Sequence, residues 1–171
     1  MKNLFRLALF CILTVAPAAF ALDGIYLGAQ VGDVTLSGNT APLYNSTIGY
    51  GLDLGFEESS LIELVLHGQH SNHSGAFGDL SVSDAFISAY LHAIRTGDLD
   101  FSLGLGPGFY FFSTQGTSST NFGLNFGVNG DVCLDAFRVG LGVNYHSVFG
   151  TTIGDNLWTI MMRFGYVFDI N

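Results

Sequence analysis

At 171 residues the chain has room for one domain, yet its make-up excludes an ordinary water-soluble one: 49% of residues are hydrophobic and only 11% charged, with 23 glycines and 16 phenylalanines, against roughly a quarter charged in soluble domains. The formal charge is −9. Loss of the two cations Lys2 and Arg6 with a leader takes it to −11, leaving Arg95, Arg138 and Arg163 as the fixed cations and excluding a nucleic-acid-binding patch.

Residues 1–21 read as a signal peptide. Lys2 and Arg6 form a positive start, Leu7 to Val15 a short apolar core, and Ala19, Phe20 and Ala21 an A-x-A cleavage site, with Leu22 the first mature residue. That core is too short to span a bilayer as a helix, and no later stretch approaches the roughly 20 apolar residues a membrane helix needs. The mature domain is 22–171. Cys11 leaves with the leader, so Cys133 has no cysteine to pair with and reads as a small apolar residue near a strand end.

In chain order, residues 24–32 alternate Ile25, Leu27, Ala29 and Val31 against Tyr26, Gly28, Gln30 and Gly32, which predicts a strand. A polar loop is expected over 33–45. Strand two, 46–56, sets Ile48, Tyr50, Leu52, Leu54 and Phe56 against Gly49, Gly51, Asp53 and Gly55, and 57–60 is a tight turn. Strand three carries Ile62, Leu64 and Leu66 opposite Glu63, Val65 and His67; 70–79 reads as a loop. Strand four, 81–94, sends Ala85, Ile87, Ala89, Leu91 and Ala93 to one face, although its alanines and leucines also suit a helix. After a turn at 95–100, strand five (101–112) alternates Phe101, Leu103, Leu105, Phe109 and Phe111 with Ser102, Gly104, Gly106, Gly108 and Tyr110. Pro107 predicts a bulge or a missing ladder bond there. Residues 113–120 read as a loop. Strand six sets Phe122, Leu124, Phe126, Val128 and Val132 opposite Gly123, Asn125, Gly127, Asn129 and Asp131, and 134–136 turns the chain. Strand seven sets Val139, Leu141, Val143 and Tyr145 opposite Arg138, Gly140, Gly142, Asn144 and His146. A loop at 149–156 precedes strand eight, with Trp158, Ile160, Met162, Phe164, Tyr166, Phe168 and Ile170 opposite Thr159, Met161, Arg163, Gly165, Val167 and Asp169.

The pattern predicts an all-β fold: an eight-stranded, antiparallel, up-and-down transmembrane barrel. High apolar content without a long apolar run is what alternation produces when one face meets lipid. Short turns alternate with long loops, so every short turn falls on the periplasmic side and every long loop outside. A soluble sandwich would carry a polar outer face; here the second face is mostly glycine and small residues.

Two constellations are candidates for chemistry. Asp53, Glu63, Asp84, Asp131, Arg138, Arg163 and Asp169 fall on the presumed lumen face. Buried charges there must pair, so Arg138 and Arg163 are expected to bind some of Glu63, Asp53 and Asp131, as a packed polar plug or as a gate or narrow ion path. The second, His67, His70, Ser71, His73 and Glu63, contains the ingredients of a hydrolytic triad or a metal site. Residues three apart on a strand face opposite ways, however, and His70 and His73 read as a solvated loop. Tyr26, Tyr50, Phe56, Phe101, Phe111, Phe122, Tyr145, Trp158 and Phe168 sit near strand ends, where interfacial girdles need aromatics.

The stretches 24–32 (GIYLGAQVG) and 104–110 (GLGPGFY), with the aromatic alternation of 164–170 (FGYVFDI), resemble the small eight-stranded outer-membrane barrels of the outer membrane protein A transmembrane domain and protein X type. That family usually ends on Phe, whereas Asn171 follows Ile170 here. The resemblance spans the mature chain. It implies the outer membrane of a Gram-negative envelope, and contact with its lipids and lipopolysaccharide. It also implies insertion by the barrel-assembly machinery, a monomer, no cofactor or metal, and a structural or surface-interaction role. A small, weakly cation-selective pore or a lateral route for apolar solutes is the second expectation. Some barrels of this size are lipid A deacylases with a His-x-Ser motif, but His146 and Ser147 are adjacent, so an enzyme is not expected. No periplasmic domain is expected after strand eight.

Overall fold

The computed structural model describes residues 24–38, 41–57, 61–76, 78–150 and 156–170; the signal peptide expected over 1–21 lies outside them. Eight antiparallel strands form one closed barrel: β1 (Gly24–Ser37), β2 (Thr47–Glu57), β3 (Ile62–His73), β4 (Leu80–Arg95), β5 (Leu99–Thr114), β6 (Thr117–Leu134), β7 (Phe137–Val148) and β8 (Asn156–Asp169). Each strand pairs with its sequence neighbours, and β1 closes the cylinder on β8 over fourteen residue pairs, Gly24↔Asp169 to Ser37↔Asn156. Closure removes free sheet edges, which in lipid would leave backbone groups unsatisfied.

The alternating apolar residues face outward. Leu52 is 70% exposed and Leu103, Leu141 and Trp158 about half exposed, with Leu124 half-buried on the same outer face. From Trp158 to Phe168 the outer residues of β8 cover ten steps, about 33 Å at a rise of roughly 3.3 Å. Tilted by about 45° that is roughly 24 Å, the height of a membrane barrel's apolar band. Aromatics rim both ends: Phe137, Tyr166 and Phe168 in ring contact near the turn end, Phe109, Phe122 and Phe149 and the pair Tyr145–Trp158 near the loop end. Tyr26, counted with the girdle from its position, is instead buried inside, because its parity belongs to the inner face.

Several expected boundaries are corrected. β1 runs on to Ser37 and β3 to His73, so 33–37 and 70–73 are strand, not loop. Residues 113–120 are not a loop either. β5 and β6 pair as far as Thr114↔Thr117 and reverse over Gln115 and Gly116, where Gly116 takes the left-handed φ of 90° that favours glycine. The long–short alternation therefore fails at this connection. β4 is a strand and not a helix. Near Pro107 the β4–β5 register is unshifted, but Gly106 and Pro107 have no partner on β4, as a residue without an N–H dictates. The bulge lies elsewhere, between His92 and Ile94.

Candidate functional site

The lumen is where the sequence concentrates its polar chemistry, and it is filled with side chains, as an eight-stranded cylinder requires. Toward the turn end, Arg138 on β7 donates from Nη1 to Glu63 Oε2 at 3.2 Å and from Nη2 to Glu57. Arg95 reaches Glu57 at 2.8 Å and Asp100 at 3.5 Å. His92, set inward beside the bulge, donates from Nδ1 to Asp100 at 2.6 Å, with Glu63 3.6 Å from its other nitrogen. Nearer the middle, Arg163 on β8 binds Asp131 at 3.0 Å and lies 4.0 Å from Asp53. Asp53 also accepts from His67 Nδ1 at 2.8 Å and from Gln30 Nε2 at 3.1 Å. Both guanidinium groups approach the Tyr26 ring, at 5.4 Å for Arg138 and 5.9 Å for Arg163. Tyr26 fits because Gly28 and Gly165 flank it: a Cβ at Gly165 would meet the ring at 2.0 Å.

Of the seven lumen residues named from sequence, Asp53, Glu63, Asp131, Arg138 and Arg163 thus meet in one network. Asp84 is buried in the lumen beneath the loop end, with Oδ1 unpartnered among the described residues. Asp169 is a correction: it is exposed at the last position of β8, where it pairs with Gly24 at the end of the closing ladder. Glu57, Arg95 and Asp100 are network members that the sequence reading assigns to turns. The signal for them was parity, since 57 continues the inward set 53 and 55, and 100 continues 102 and 104.

Above this network the lumen changes character. Val34, Leu36, Leu80, Val82, Tyr110, Phe112, Val148, Leu157 and Met161 form a buried apolar cluster at the loop end, with Ala41 and Tyr44 packed against it. At the same height the outward residues turn polar: Asp33, Thr35 and Ser37 on β1, Ser81 and Ser83 on β4. The barrel wall is apolar-out in its lower part and apolar-in at its loop end.

The histidine–serine cluster is split by the wall. His67 joins the lumen network, and His70 points outward, 2.8 Å from the Ser83 hydroxyl. Ser71 and His73 point inward, with Ser71 Oγ 3.0 Å from His73 Nε2. His73 is fully buried, contrary to a solvated loop, and its Nδ1 donates to the Asn45 carbonyl at 2.9 Å rather than to a carboxylate. This arrangement supplies no acid–His–Ser line. Among the described residues no group of three or more His, Cys, Asp or Glu is placed to hold a metal.

No protein-family model and no curated protein matches the sequence. Solved structures do match in fold. Neisserial surface protein A (NspA) aligns with a TM-score of 0.64 at 12% identity, over 85% of this chain and 97% of that one. The N-terminal β-barrel domain of Pseudomonas aeruginosa OprF gives 0.62 at 14%, over 85% and 98%. Ail, the attachment invasion locus protein of Yersinia pestis, in complex with the heparin analogue sucrose octasulfate, gives 0.55 at 17%, over 85% and 97%. The chain has the fold of the small eight-stranded outer-membrane β-barrels.

Proposed function

We propose that this chain is a non-enzymatic outer-membrane barrel, exported by a cleaved leader over 1–21 and inserted as a monomer. It adds to envelope integrity and presents its loop end to the outside. The observation that carries the reading is the filled lumen. Carboxylates tied to Arg95, Arg138 and Arg163 occupy one part and an apolar cluster the other, so the cylinder is an anchor rather than an open pore. Eight strands leave little space beyond side-chain volume, and the split histidine–serine cluster supports a role without catalysis.

The outer face bears on the partner. Arg95, Arg138 and Arg163 lie in the lumen or at its turn end, and residues 22–171 contain no lysine. A loop end without fixed cations suits neutral hydroxyl-bearing partners, the uncharged sugars of lipopolysaccharide among them, and does not suit anionic phosphates or a sulfated polyanion of the kind seen with Ail. Planar-bilayer recording of the purified protein tests the anchor reading. The expected result is silence, or rare small openings that prefer cations, since charge lining a narrow path sets its selectivity. A large, persistent or anion-selective current would overturn it.

A further inference from the structure

We infer that the apolar cluster at the loop end is a hydrophobic gate, strapped shut by the 41–45 segment, over a lumen that otherwise hydrates. This rests on the membrane-barrel reading and goes beyond it, because it says which part of the filled lumen stops ions.

The polar part of the lumen carries buried polar atoms for water to satisfy. Glu63 Oε1, Asp131 Oδ1, Asn125 Nδ2, Asn144 Oδ1, Asp84 Oδ1 and His146 Nε2 are all buried and have no protein hydrogen-bond partner among the described residues. They run from the turn end, through the middle, to just beneath the apolar cluster. Buried polar atoms without a partner are costly, and internal water is their usual partner. A file of such atoms along one cylinder marks a wettable path. The acids on it outnumber the arginines: Asp53, Glu57, Glu63, Asp84, Asp100 and Asp131 against Arg95, Arg138 and Arg163. Cations are therefore the species it accommodates.

The apolar cluster offers water nothing comparable, and the polar side chains beside it are already engaged: Ser71 with His73, His73 with the Asn45 carbonyl, and Asn121 with Ser119. Its side chains come from β1, β4, β5, β7 and β8. Its single polar atom, the Tyr110 hydroxyl, is already 2.9 Å from His146 Nδ1. Narrow apolar constrictions exclude ions by dewetting.

The strap lies on top. Tyr44 and Ala41 pack on the cluster, and the segment is fastened to the β3–β4 connection and, through His73, to the end of β3. Tyr44 bridges Gly75, Asn45 N donates to Ser74 O at 3.0 Å, Ala76 N donates to Leu43 O at 3.1 Å, and His73 holds the Asn45 carbonyl. Gly75 is the fastening point. A Cβ there would stand 2.4 Å from the Tyr44 ring and 2.5 Å from the Leu43 carbonyl oxygen, so Gly75→Val displaces the strap while leaving every barrel strand intact.

The test records single-channel activity in planar bilayers with potassium chloride for the parent, Gly75→Val, and the double variant Leu80→Ser, Phe112→Ser. Folding is checked by β-type circular dichroism and heat-dependent gel mobility. Breaking one or two strap hydrogen bonds shifts a closed–open equilibrium by roughly tenfold, so Gly75→Val is expected to raise the open fraction by about that factor, with a cation-preferring reversal potential. The folded double variant is expected to conduct continuously. A folded double variant as silent as the parent would overturn the gate and assign the barrier to the arginine–carboxylate network. If the double variant does not fold, silence of Gly75→Val overturns the strap. A parent that itself carries a large steady current instead sinks the anchor reading, which keeps the two failures apart.

Discussion

Arg163 neutralises acids from β6 and β2 at once, through Asp131 and Asp53, and it is 5% exposed. Replacing one partner of a buried pair leaves the other charge uncompensated, at a typical cost of about 3–5 kcal/mol. Arg95 also binds two carboxylates, but its side chain is 26% exposed at the lumen mouth, where solvent screens the pair and such contacts are worth about 1 kcal/mol or less. Arg163→Met is therefore expected to lower the urea midpoint of the vesicle-inserted barrel well below that of Arg95→Met; equal midpoints would contradict a lumen network that matters for stability. Glu57 and Asp100 show what a residue-by-residue reading leaves out. Alternation tells which face a side chain takes, but it does not tell where a strand stops. Both acids sit where the apolar partners end, so they look like turn residues until the ladders Glu57↔Glu63 and Asp100↔Asp131 are seen.

At the scale of elements, the strands are legible wherever large apolar and small residues alternate without a break, as in 101–111 and 158–168. They are lost where parity flips. In β1 the apolar set passes from Ile25, Leu27, Ala29 and Val31 to Val34 and Leu36, and in β4 from Ala85 and Ile87 to Leu80 and Val82. Read as one lipid-facing stripe, these flips look like the start of loops. They are in fact strands leaving the apolar band, where the outside turns polar and the inside apolar. The 113–120 stretch is misread for a related reason: serine and threonine dominate loops, yet they also suit the outer face of a strand above the membrane. Gly116 offers a clean check on that hairpin. Nothing crowds its Cβ position, so Gly116→Val costs only the left-handed backbone at φ 90°, about 1–2 kcal/mol. The expected outcome is a small drop in the urea midpoint with unchanged bilayer behaviour. No drop at all would indicate that the turn is not held as described.

For the whole molecule, strand count, antiparallel order and the outward set were readable because one physical demand, a lipid-facing side at every second residue, repeats eight times. The closed loop end was not, since it depends on which strand ends come together once the cylinder closes. If the outer band meets lipid as proposed, the single tryptophan, Trp158, reports on it directly. It points outward, 47% exposed, in ring contact with Tyr145 at the loop-end rim of the band. In vesicles with lipids brominated at different depths along the acyl chain, its emission should be blue-shifted and quenched most by bromines near the interface, and less by those at the bilayer centre. Emission at the wavelength of a water-exposed indole, or insensitivity to bromine at every depth, would contradict a barrel that spans the membrane with this face outward.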